Sequence, residues 1–265
     1  MKTFESEFNK FLDKLKTGEN FAFSRFSDGE LFILKGERLV LADNHFITGG
    51  RSGAGTYTKE DHKDFDPTKD KFYQDRLIEA LTYRKEGYYK GLTGVIDEDI
   101  SGEDSFQFQL DLYGKDDDEH LSFANVFINN NYPRFLNEIC PILKNKKKVF
   151  IVNEDADLSK FSNVIKDFRV GSNCIINDYT LVETLKDWIR DNKISDTIFL
   201  FSASTLSNYL IHECYKEFDN NTYIDIGTAL TPWMGLEGWK YSRAYLQHWI
   251  LKHHNKYGTQ VDTWS

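Results

Sequence analysis

Between residues 148 and 226, short apolar runs alternate with amphipathic segments, and this alternation restricts the fold more than any other feature of the chain. Residues 148–152, 173–176, 197–201 and 223–226 read as strands, and residues 159–168, 181–190 and 205–218 as helices. Strands alternating with helices imply βαβ units and a parallel sheet. Right-handed crossovers then set the carboxyl ends of the strands along one edge. The first half joins the same scheme. Phe4, Phe8, Phe11, Leu12 and Leu15 recur at helical spacing before a stop at Gly18, and residues 21–26 form a strand. Residues 30–36 read as a short helix, 39–41 as a brief strand, 69–84 as a helix, 88–96 as strand-like, and 121–139 as a helix interrupted by Pro133. Residues 43–68 are polar and read as a long loop, of the length that is usually functional or mobile. The expectation is an α/β fold, a mostly parallel sheet flanked by helices, in one domain over residues 1–265 with an aromatic, basic tail at 231–265.

Composition narrows the function classes. A chain of 265 residues with 40% apolar and 15% aromatic residues buries a substantial core and is not disordered. A net charge of −9 gives little non-specific attraction to nucleic acid or anionic lipid, so neither is expected as a partner. The densest basic cluster, Lys144, Lys146, Lys147 and Lys148, precedes a strand and reads as a solvated turn. Cys140, Cys174 and Cys214 show no CxxC spacing and sit in apolar runs. Buried free thiols and a reducing, cytoplasmic location are expected. The polar first ten residues do not resemble a signal peptide, and no apolar run reaches the roughly 20 residues of a membrane span.

The strand at 21–26 ends in Arg25-Phe26-Ser27-Asp28-Gly29-Glu30. Ligands of α/β proteins bind at strand carboxyl ends. Asp28 and Glu30 suit a hard divalent cation, the glycine between them permits close approach, and the planar fork of Arg25 suits a diphosphate. Ser27-x-x-Glu30 is equally a helix capping box, so the pair also has a purely structural reading. Asp155-x-Asp157 comes after another strand as a second acidic pair, or as a solvated strand-to-helix loop that caps the next helix. Ser202, Ser204 and Thr205 lie between a buried strand and an amphipathic helix, where backbone N–H groups favour phosphate, or where a serine simply caps. Asp225 interrupts an apolar strand near its end; it is a candidate base or ribose ligand, or a loop anchor. Arg51, in the glycine-rich stretch 49–56, would face phosphate if that stretch covers a nucleotide. His253-His254 is a weaker metal or base candidate. The chain lacks GxGxxG, GxxxxGK[ST], GxSxG and HExxH.

Arg25 to Glu30 resembles the RFGDGE block of the bacterial GT-D type glycosyltransferases, a family first catalogued as a domain of unknown function. A second block also resembles that family: Phe201-Ser202-Ala203-Ser204-Thr205, a helix, then Tyr223-Ile224-Asp225-Ile226-Gly227. The resemblance implies a Rossmann-like fold, a nucleotide-sugar donor, usually UDP-linked, and manganese (or magnesium) held by Asp28 and Glu30. Ser27 stands where the family usually has glycine, and Ser202 and Ser204 where it often has Gly and Thr. The implied activity is transfer of a sugar to a glycan or other hydroxyl acceptor; the resemblance places no general base on this chain, so Asp225 is the candidate by its position, and the tail aromatics would stack on the acceptor. The other readings are a non-catalytic nucleotide-binding or interaction module, and a metal-dependent phosphohydrolase using Asp155 and Asp157.

Overall fold

The computed structural model describes residues 2–55, 57–96, 99–100, 102–115, 118–236 and 245–252. Helix α1 (Phe4–Thr17) starts where Thr3 and Ser6 cap each other's backbone N–H groups, and ends at Gly18 in the left-handed conformation. Its apolar stripe, Phe4, Phe8, Phe11, Leu12 and Leu15, is buried. Next come β1 (Ala22–Phe26), α2 (Asp28–Leu34), β2 (Leu39–Leu41), β3 (His45–Thr48), β4 (Arg51–Ala54), β5 (Lys63–Phe65), α3 (Lys71–Thr82) and β6 (Tyr88–Leu92). A small hairpin, β7 (Val95–Ile96) and β8 (Asp99–Ile100), leads to α4 (Glu103–Tyr113) and β9 (Leu121–Phe123). Short helices α5 (Tyr132–Arg134) and α6 (Cys140–Asn145) precede β10 (Lys148–Asn153), β11 (Val164–Val170), α7 (Cys174–Asn177) and α8 (Leu181–Asp191). The chain continues through β12 (Ile198–Ser202), α9 (Leu206–Glu217), β13 (Thr222–Asp225) and α10 (Tyr245–Lys252).

Seven strands form the main sheet in the order β11-β10-β12-β13-β1-β6-β9. Every neighbouring pair in it is parallel. Alternate side chains serve opposite faces, as the period of two requires. Ala22, Phe26, Tyr88, Val149, Ile151, Phe199 and Phe201 pack with Leu77, Leu185 and Leu210 of α3, α8 and α9. Phe21, Phe23, Phe150, Val152, Leu200 and Ile224 pack with Phe8, Phe11 and Leu143 of α1 and α6. The fold is therefore the α/β class that the alternation implies. Parallel strands buried on both faces read as continuous apolar runs.

Several local expectations are corrected. Residues 43–68 are not one loop. They carry β3, β4 and β5, which join β2 in a second, antiparallel sheet ordered β4-β3-β2-β5. Gly49 and Gly50, both at positive φ (54° and 79°), make its two-residue hairpin turn. Residues 159–168 contain the edge strand β11 rather than a helix, residues 173–176 are helical rather than extended, and residues 121–139 begin with β9. Lys148 is not part of a solvated turn: it is fully buried and donates to the Ser162 carbonyl at 2.5 Å. Trp233 and Trp249 are core side chains, not a sugar-stacking surface. Thr56, Asp116, Asp117, Trp239, Tyr241, His253, His254 and Trp264 lie outside the described residues. Cys140, Cys174 and Cys214 are buried free thiols, as expected. Among the described residues no helix is long and apolar enough to cross a membrane.

Candidate functional site

Because the strands are parallel, their carboxyl ends share one edge, and a cleft of about 700 Å³ opens there. Arg25 and Asp28 enter it from the end of β1, Asn153 from β10, Ser202 and Ser204 from β12, and Asp225 and Gly227 from β13. Lys63 of β5 in the second sheet also lines it, with Glu60 and Asp61 from the helical turn Lys59–Asp61 just before that strand.

Asp225 is the most perturbed group in the cleft. It is 6% exposed. Burial pushes its carboxyl up from 3.8 to about 7; Arg25 pulls the other way, and the charge of Glu30 adds to the rise. The Arg25 Nη1 lies 3.9 Å from Asp225 Oδ1, and that oxygen also accepts the Gly227 N–H at 2.9 Å. Arg25 is itself held by its Nε, which donates to the Ala124 carbonyl at 2.5 Å. A half-ionised carboxyl beside a fixed cation suits proton transfer near neutral pH.

Asp28 and Glu30, which the sequence groups together, have different surroundings. Asp28 is exposed to the cleft. Its Oδ1 accepts the Gly29 N–H at 3.0 Å and the Ser27 hydroxyl at 3.2 Å. Its Oδ2 takes no hydrogen bond among the described residues. Glu30 is 7% exposed and both its oxygens are engaged. Oε2 accepts the Ser27 N–H at 3.0 Å, completing the capping box, and Oε1 accepts the hydroxyl of fully buried Thr205 at 2.6 Å. Glu30 therefore ties the β1–α2 turn to the β12–α9 turn. Asn208 strengthens the same join by donating to Ser24 Oγ at 3.0 Å and to the Arg25 carbonyl at 2.6 Å. Glu30→Gln and Thr205→Val should each destabilise the fold by about 1–2 kcal/mol, with the pair far from additive. Denaturant unfolding of the four-member cycle measures this, and full additivity would contradict the tie.

Thr205 thus serves Glu30 and does not line the cleft. Ser204 does, at φ 49°, in the left-handed region that a non-glycine residue adopts at some cost. Arg51 is exposed on β4, away from the cleft lining. Asp155 and Asp157 are also exposed and outside it. Asp157 Oδ1 caps the adjoining turn by accepting the Ser159 N–H at 2.8 Å.

Lys63 is the functional candidate that sequence reading missed. Among the described residues it has no carboxylate within 4.0 Å, and its Nζ would lie only 2.6 Å from a Cβ at position 29. The glycine between the two acids therefore makes room for this ammonium. Asn173 holds the strand on both sides of Lys63: its N–H donates to the His62 carbonyl at 3.1 Å. Its amide accepts the Asp64 N–H at 3.0 Å and donates to the Asp64 carbonyl at 3.1 Å. The dipeptide Gly49-Gly50 between two four-residue runs was the one signal for the hairpin that leads to this strand.

No protein-family model matches the sequence, and no curated protein does. One solved structure does match, described as "The highly conserved domain of unknown function 1792 has a distinct glycosyltransferase fold". The TM-score is 0.53 at 11% sequence identity, over 91% of this chain and 82% of that one. This chain has a glycosyltransferase fold. In that fold the Arg25–Glu30 block and the Tyr223–Gly227 block, about 200 residues apart in sequence, meet as neighbouring strand ends, since β1 pairs with β13.

Proposed function

We propose that the protein is a metal-dependent glycosyltransferase. It would take a nucleoside-diphosphate sugar, with UDP the nucleotide the resemblance implies, and pass the sugar to a hydroxyl of a glycan or glycoconjugate. The observation that carries this reading is the charge of the cleft. Among the described residues, Asp28, Glu30, Glu60, Asp61 and Asp225 line it against Arg25 and Lys63 as its only cations. Such a cleft repels a bare diphosphate and accepts one only with a divalent cation. Asp28 fits as a protein ligand for that ion, because its Oδ2 is unengaged; Glu30 stands behind it as the anchor of the turn. A magnesium- or manganese-type ion commonly takes one or two carboxylates and completes its shell with phosphate oxygens and water. When bound it would supply Lewis-acid neutralisation of the departing diphosphate.

The protein's own groups do the rest. Lys63 and Arg25 offer fixed positive charge to the diphosphate. Asp225 accepts the proton of the acceptor hydroxyl as its oxygen bonds the anomeric carbon and the bond to the diphosphate breaks. The nucleoside diphosphate leaves and Asp225 returns its proton to water. The three buried thiols suit a cytoplasmic location.

Calorimetry with UDP, with and without manganese, tests the reading. Manganese should strengthen UDP binding, and Asp28→Asn should weaken the manganese-dependent part at least tenfold. Incubation with a UDP-sugar and manganese should release UDP and no inorganic phosphate. UDP binding indifferent to manganese, no turnover, or phosphate release would each overturn it; the last would favour a phosphohydrolase and the second a bare nucleotide binder.

A further inference from the structure

A second cluster of metal-ligating side chains lies at the other end of the sheet. Glu86 precedes β6, and Glu119 and His120 precede β9, so they sit at the amino ends of two neighbouring parallel strands. One ligand atom from each lies within 4.8 Å of the others. We propose that Glu86, Glu119 and His120 form a structural site for a zinc-type divalent cation, separate from the cleft.

The imidazole shows the arrangement. Its Nδ1 lies 3.0 Å from Asp118 Oδ1, an oxygen that also accepts the His120 backbone N–H at 2.8 Å. Asp118 Oδ2 accepts the Tyr113 hydroxyl at 2.7 Å. Both carboxylate oxygens of Asp118 thus act as acceptors, Oδ2 from a hydroxyl and Oδ1 from a backbone N–H. An acceptor-only carboxylate assigns the hydrogen to Nδ1 and leaves Nε2 facing the two glutamates. Nε2 is buried with no hydrogen-bond partner. Glu86 Oε2 is 3.4 Å from it, outside hydrogen-bonding geometry. Two ligands of one tetrahedral zinc, each about 2.1 Å from the ion, stand about 3.4 Å apart. A carboxylate behind a metal-bound histidine is the usual means of fixing its tautomer and orientation.

The neighbouring cations do not fill this position. Of those lining the same hollow, Arg84 donates to the Tyr113 carbonyl and lies over the Tyr113 ring, Lys85 pairs with Asp219 at 2.9 Å, and Lys115 makes no ion pair with Glu86 or Glu119 among the described residues. Lys10, whose Nζ is 3.5 Å from the Glu119 carbonyl, is paired with Glu7. The contrast is the trio Glu79, His212 and Glu213. There Arg76 takes Glu79 at 2.6 Å and Lys216 takes Glu213 at 3.1 Å, so protein cations stand where an ion would.

The test uses metal-free full-length protein dialysed against zinc chloride, read by bound zinc per chain and by melting temperature. One zinc should bind and raise the melting temperature. Glu86→Gln, at a side chain that is 86% exposed, should leave the fold intact and weaken binding at least tenfold. His120→Ala should abolish it, Asp118→Asn should weaken it about 10- to 100-fold, and Asp28→Asn in the cleft should leave it unchanged. Cobalt in place of zinc should show the visible absorption of a tetrahedral site. No zinc uptake by the wild type, equal affinity in Glu86→Gln and His120→Ala, or loss of the zinc in Asp28→Asn would overturn the proposal. None of these outcomes depends on sugar transfer.

Discussion

Asp225→Asn should lower turnover by about 10²–10⁴-fold, the range of a lost general base, while the protein remains folded. The carboxyl is buried against Arg25 at the end of β13 and titrates at about 7. In the wild type kcat/KM should therefore rise with pH through a midpoint near 7, as the carboxylate form appears. The variant should lose that limb along with its activity. Stability gives an independent check. The folded-state value lies above the ordinary 3.8, so the native protein holds this proton more tightly than the unfolded chain does. Wild-type stability due to this group is full below pH 3.8 and is lost as pH rises towards about 7. Asparagine does not titrate. The melting temperature of the variant minus that of the wild type should climb between about pH 4 and pH 7 and level off above. A difference that is flat across that window would remove Asp225 from the role of buried, proton-sharing base. A wild-type rate profile without a limb near 7 would do the same.

The large features of this fold were legible because they rest on long apolar patterns. The core strands are buried on both faces, and α8, α9 and α1 have wide apolar stripes. Where patterns were short, the sequence was ambiguous. Phe161, Val164, Ile165 and Phe168 fall at helical spacing, yet residues 164–170 form an edge strand that packs one face and leaves Ile165 44% exposed. Strands β3, β4 and β5 have only three or four residues each and mostly half-buried or exposed side chains, so no alternation marks them. Lys63 could not be found without them, since only the second sheet brings it beside Gly29. At the cleft, the strand-end rule gathered Arg25, Asp28, Ser202, Ser204 and Asp225 correctly onto one edge. It could not divide the labour between Asp28 and Glu30. That division depends on Thr205, some 175 positions away, whose hydroxyl engages Glu30; the capping-box reading describes Glu30.

Gly227→Ala is the second large effect, and it arises from space rather than charge. Gly227 has φ 49°, where a Cβ costs roughly 1–2 kcal/mol by itself. That Cβ would also overlap Arg25 Nη1 outright and lie 2.8 Å from its Cζ. The guanidinium must then leave its place between the Ala124 carbonyl and Asp225. Overlap and left-handed strain together should destabilise the protein by about 3 kcal/mol, at the upper end of single substitutions. The displacement also removes the one cation that lowers the Asp225 carboxyl, so the ascending limb of the rate profile should move to higher pH. Arg25→Ala separates the two causes. In that background the clash is gone, and Gly227→Ala should cost only the backbone strain of about 1–2 kcal/mol. The smaller loss in the double variant is the signature of direct contact. Equal losses in both backgrounds would mean that the backbone turn alone requires glycine, and that Arg25 does not depend on the empty space above it.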